Sequence, residues 1–91
     1  MQFITQNYTE AAAAAATKLV MLEEQYILYN YFVENGADEE DLGEVLDALE
    51  TALSETVAEY EALSAEDKAS FADFEEMYTF YKNLCEQALA A

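Results

Sequence analysis

The sequence predicts an all-α protein, an elongated antiparallel three-helix bundle, on three observations. Proline is absent and glycine occurs only twice in 91 residues, so almost nothing interrupts a helix. Ala, Glu and Leu dominate, while β-branched residues are sparse and scattered. Apolar residues recur at alternating steps of three and four along three segments, roughly 8–34, 39–63 and 65–89, divided by two polar junctions.

The first segment carries Tyr8, Ala12, Ala15, Leu19, Leu22, Tyr26, Tyr29 and Val33 on one face. Asn7 and Glu10 have capping-box spacing at its start. The run Ala11–Ala16 is strongly helical and lets another backbone approach closely. The junction "ENGAD" ends the segment. Gly36 suits the left-handed residue that follows a helix. Asp38 then caps the second segment, and the acids behind it favour that helix's positive end.

The second segment aligns Leu42, Leu46, Leu49, Leu53, Thr56, Tyr60 and Leu63. At "LSAED", Ser64 and Asp67 form the next start signal. The third segment aligns Phe71, Phe74, Tyr78, Tyr81, Cys85 and Ala88. Segments of about 25 residues reach roughly 37 Å. Short connections make neighbours antiparallel. That topology sets the Ala-rich start of the first helix against Tyr60, Leu63, Phe71 and Phe74. At the other end it sets Tyr26, Tyr29 and Phe32 against Cys85 and Ala88. Large side chains then meet small ones, as close packing requires.

Composition bounds what the chain can be. At 54% apolar it is no disordered acidic tail, and its length suits one acidic helical domain spanning 1–91. A single cysteine, Cys85, forms no intrachain disulfide and is expected in the core, which favours a reducing, cytoplasmic setting. "MQFITQNYTE" lacks the basic residues that open a signal peptide, and no apolar run is long enough to span a bilayer.

Catalysis is poorly supplied, and no enzymatic activity is expected. Histidine, the usual acid–base group near neutrality, is absent, and so is arginine for clamping an oxyanion. Cys85 has no base to activate it, and Ser54, Ser64 and Ser70 have no base partner of the needed type. No cofactor or metal is expected. The run from Asp38 resembles a calcium loop only faintly, because Leu42 and Leu49 stand where that template needs oxygen ligands.

Charge is the strongest signal. Twenty acids face three lysines, a formal net charge of −17. Between Lys18 and Lys68 there are fifteen acids and no base. Such a field repels phosphate backbones and anionic membranes, so neither nucleic acid nor a membrane is an expected direct partner. It attracts basic proteins and speeds their association. On the second helix Glu40, Glu44, Asp47 and Glu55 are expected opposite the leucine stripe, with Asp41, Glu50, Glu59 and Glu61 beside them. Steps of three or four residues separate carboxylates by roughly 5–6 Å, against ~3.4 Å per phosphate on one DNA strand.

A second signal is surplus apolar surface. In "YILYNYF", Ile27 and Tyr31 lie on one flank of the core stripe and Leu28 and Phe32 on another; Met77, Phe80 and Leu84 lie beside the third stripe. These residues either widen the core face or form a patch for another chain.

The chain therefore resembles, in size, charge and helix content alone, the broad class of DNA mimics, many of them phage inhibitors of host nucleases, restriction or CRISPR immunity. The resemblance implies a basic, nucleic-acid-binding protein partner whose groove is blocked. From this sequence, Glu40, Glu44, Asp47, Glu50, Glu55 and Glu59 are the expected phosphate surrogates, with Tyr31 and Phe80 as apolar anchors. A different reading is an adaptor bundle, monomer or homodimer, that associates through its aromatic surplus while the acids only solubilise it. Adaptation to high salt is a further source of acid excess.

Overall fold

The computed structural model describes residues 8–90. Four α-helices result: α1 (Glu10–Glu34), α2 (Glu39–Glu61), α3 (Ala65–Ser70) and α4 (Glu75–Ala90). A 3-10 turn, Ala72–Phe74, joins α3 to α4. The described residues include no strand. The molecule is all-α and elongated, 44 × 25 × 17 Å.

Local chemistry sets the helix ends. Thr9 caps α1 by accepting from the Ala12 N–H at 3.1 Å; the predicted cap, Asn7, lies outside the described residues. Gly36 adopts φ +68°, closing α1 into the turn. Asp38 accepts from the Asp41 N–H at 2.9 Å and Ser64 from the Asp67 N–H at 3.1 Å, both as the sequence predicts.

The long helices α1 and α2 pack antiparallel along their length. Lys18 and Thr56 fix the register: the Thr56 hydroxyl donates within α2 to the Ala52 carbonyl at 2.7 Å and lies 3.2 Å from the Lys18 carbonyl. Ala12, Ala15, Ala16, Leu19 and Leu22 of α1 are buried, with Val45, Leu49 and Thr56 of α2. The alanine run thus provides the close backbone approach its composition suggests. Val33, expected in the core stripe, is instead exposed in the last turn of α1, where the chain leaves the bundle. Val45, outside the predicted stripe, is buried.

The third predicted helix is not continuous. Its stripe is split by the 3-10 turn, with Phe71 N–H donating to the Asp67 and Lys68 carbonyls and Phe74 N–H to the Phe71 carbonyl at 2.8 Å. A 3-10 turn has three residues per turn, so positions i and i+3 eclipse. Phe71 and Phe74 are thereby brought onto one line, with ring centroids 5.7 Å apart, at the Ala-rich start of α1. Phe71 becomes fully buried, and its ring meets Tyr60 and Tyr78 edge-on. The start of α1 is tied to this segment by Thr9 N–H donating to Ser70 Oγ at 2.9 Å and by the Tyr8 hydroxyl donating to Asp73 at 3.0 Å.

Gly43 sits within α2, exposed, with open space where a Cβ would stand. Gly43→Ala is expected to stabilise the protein by about 0.5–1 kcal/mol, because glycine loses the most backbone freedom on entering a helix. A urea titration followed by circular dichroism reads that shift.

Candidate acidic interface

The acids have almost no cations to neutralise them. Lys18 pairs with Glu55 at 3.0 Å and Lys82 with Glu86 at 3.0 Å. The Lys68 ammonium lies 4.9 Å from the centre of the Tyr60 ring. All three lysines are therefore engaged within the molecule. Among the described residues only Glu55 and Glu86 form ion pairs.

Tyrosine hydroxyls hydrogen-bond some of the remaining carboxylates without neutralising them. The Tyr60 hydroxyl donates to Glu75 at 2.6 Å and Tyr81 to Glu23 at 2.9 Å, in addition to the Tyr8–Asp73 bond. Each of these bonds crosses between segments. The carboxylate beside Tyr60, with some burial, pushes its phenol up to about 12. The Asp73 bond and then burial raise the Tyr8 phenol, and burial and then the Glu23 bond raise that of Tyr81.

Cys85 is fully buried, and burial followed by the nearby Glu86 charge pushes its thiol up to about 11 from 9.0. Both Cys85 and Tyr60 hold their protons more tightly folded than unfolded. Their contribution to stability is therefore complete below their ordinary values, about 9 and 10, and is lost as pH rises through about 11 and 12. From neutral pH the urea midpoint should be level up to about pH 9 and fall between there and about pH 12. Tyr60→Phe should make the upper part of that fall shallower, with Tyr8, Tyr78 and Tyr81 carrying what remains. In the native state Cys85 should resist a thiol reagent that labels the unfolded chain promptly.

Among the predicted interface residues, Glu40, Glu44, Asp47 and Glu50 are exposed on α2. Helical phase puts Glu40, Glu44, Asp47, Thr51, Ser54 and Ala58 on one outermost line. The line is anionic only in its first half. Glu40 to Asp47 spans about 10 Å, the length of roughly three phosphates on one strand. Beyond Asp47 the acids diverge to the two sides of α2. Glu55 and the half-buried Glu59 turn toward α1, where with Lys18, Ala58 and Ala62 they line a shallow groove. Glu55 is thus no free phosphate surrogate, because Lys18 already holds it. That pairing joins residues 37 apart and carries no sequence signal.

Tyr31 and Phe80 are both largely exposed, at 60% and 56%. They do not join the α2 row. Tyr31 stands on α1 with its ring against Phe32. Phe80 lies two residues, about 200°, beyond Tyr78, which stacks on Tyr60 of α2 at 4.2 Å, so Phe80 points away from α2. It borders acids of its own segment, Asp73, Glu75 and Glu76.

Sequence reasoning passed over a groove between α1 and α2. Met21, Glu24 and Gln25 line one side of it; Ala48, Thr51, Ala52 and Glu55 line the other. The small residues at 48, 51 and 52 were its only signal. Compared with family models, with curated proteins and with solved structures, the chain matches none of them. No described helix is long and apolar enough to cross a membrane. No group of three or more Cys, Asp or Glu among the described residues could hold a metal ion.

Proposed function

We propose that this is a non-enzymatic binding protein whose α2 carboxylates occupy a basic, nucleic-acid-binding surface of a partner protein and block it, in the manner of a DNA-mimic inhibitor of a nuclease, restriction or CRISPR system. One observation carries the reading: Glu40, Glu44 and Asp47 stand exposed in a row on a 23-residue helix, with every lysine engaged elsewhere. Solubility alone calls for a net charge of only about 2–8 on a small domain. A charge of −17 goes beyond that and costs folded-state stability through self-repulsion. The buried thiol of Cys85 fits a reducing, cytoplasmic site of action.

The test is capture of binding proteins from a lysate on the immobilised chain, eluted by a salt gradient. Nucleic-acid-binding proteins should leave at moderate salt, since exposed charge pairs are screened as the Debye length shrinks. Retention of no basic protein at low salt refutes the reading.

The adaptor reading is favoured by a different observation, the exposed Met21, Ile27, Leu28 and Tyr31 on α1. Light scattering separates the two. Apolar self-association persists or strengthens in high salt, whereas a mimic stays monomeric at low and high salt alike.

A further inference from the structure

Phe80 stands more than half exposed on α4, braced edge-to-face against Tyr81 with ring centroids 5.0 Å apart. It borders two shallow hollows of about 490 and 520 Å³. Asp73 and Glu76 line the first, Glu75 and Glu76 the second, and no lysine lines either. Asp73 and Glu75 each accept from a tyrosine hydroxyl through one oxygen, which leaves their charge in place. Glu76 is exposed and forms no ion pair. The overall acid excess does not by itself produce this setting. Tyr31 is similarly exposed, yet it stands in a stretch, 25–33, that contains no acid.

We propose that the outer face of α4 docks an arginine-bearing basic segment of the partner, with Phe80 as the ring on which a guanidinium stacks. The assignment rests on the mimic reading and gives it a second contact face, since Phe80 points away from α2 and its acidic row. An aromatic ring among carboxylates attracts a cation in two ways. The ring presents the negative face of its quadrupole, and the carboxylates add net charge. An apolar partner segment laid over the same ring would strip water from Asp73, Glu75 and Glu76 and give them no cation in return, which is costly. A guanidinium is planar and weakly hydrated, stacks on aromatic faces and presents donors that carboxylates accept; an ammonium is compact and strongly hydrated. Arginine therefore suits this face better than lysine. The arginine belongs to the partner, since this chain contains none.

The probe is a capped octa-arginine peptide, titrated by calorimetry at one low salt concentration. Phe80→Leu keeps an apolar side chain and a good helix former but removes the ring, and it changes no charge. Circular dichroism confirms its helix content. Phe80→Leu should weaken binding about two- to five-fold, the worth of one exposed cation–π contact. Tyr31→Leu should leave it unchanged. The chain has no tryptophan, so Phe80→Trp places one indole reporter on the face. Its emission should shift as the peptide is added, also in a background carrying Glu40→Gln, Glu44→Gln and Asp47→Asn. Three results overturn the α4 assignment and leave the acidic-row reading standing: unchanged affinity in Phe80→Leu, an equal loss in Tyr31→Leu, or emission that stays still while calorimetry records binding. An emission response lost in the triple background overturns α4 as a separate contact face. No binding of the peptide to the parent chain at low salt overturns both readings.

Discussion

Exchanging Glu40, Glu44 and Asp47 together for Gln, Gln and Asn should weaken binding to a basic partner by roughly 10²-fold. Each exposed pair is worth up to about 1 kcal/mol, and three of them approach 3 kcal/mol, or two decades in affinity. The salt dependence of binding should become shallower in the same experiment, because fewer charges are being screened. The fold should not suffer. None of the three carboxylates forms an ion pair; losing Glu40 from the first turn of α2 forfeits about 0.3–1 kcal/mol of helix-dipole stabilisation, which the lessened repulsion along α2 offsets. A melting temperature equal to or above the parent's, with binding lost, separates recognition from folding. Undiminished biological activity in this triple variant would mean that the row is solubilising surface.

Phe71→Ala should be the most damaging single change to stability, at about 3–5 kcal/mol. Phe71 is the largest of the fully buried side chains, and three aromatic rings, those of Tyr60, Phe74 and Tyr78, surround it within 6.3 Å. Domains of this size have only about 5–15 kcal/mol in total, so the loss is a large share. The melting temperature should fall by more than ~12 °C. A fall as small as that of an exposed control such as Phe80→Ala would mean that the junction between α3 and α4 does not close the core.

The parts of this fold legible in the sequence are those fixed by neighbours along the chain. Gly36, Asp38 and Ser64 end and begin helices through backbone geometry and short hydrogen bonds. The stripes read correctly through Leu19, Leu22, Leu49, Phe71, Tyr78 and Cys85, because a 3.6-residue period needs no knowledge of the partner helix. The 3-10 turn at 72–74 had no such marker. Neither glycine nor proline stands there, and the break shows only in tertiary packing, where Phe71 meets Tyr60 of α2 and Phe74 meets Tyr8. Site geometry was less legible still. Whether an acid is free depends on which lysine reaches it, and Lys18 reaches Glu55 only once α1 and α2 are in register. The groove at Ala48 and Ala52 likewise exists only between two packed helices.

The bonds from Tyr8, Tyr60 and Tyr81 to carboxylates have a practical corollary for anyone purifying a complex. Each joins a neutral phenol to an anion at contact distance, so dissolved ions weaken it far less than they weaken attraction between distant unlike charges. Brine strong enough to strip a cationic partner should therefore release this chain still folded and ready to rebind on dilution.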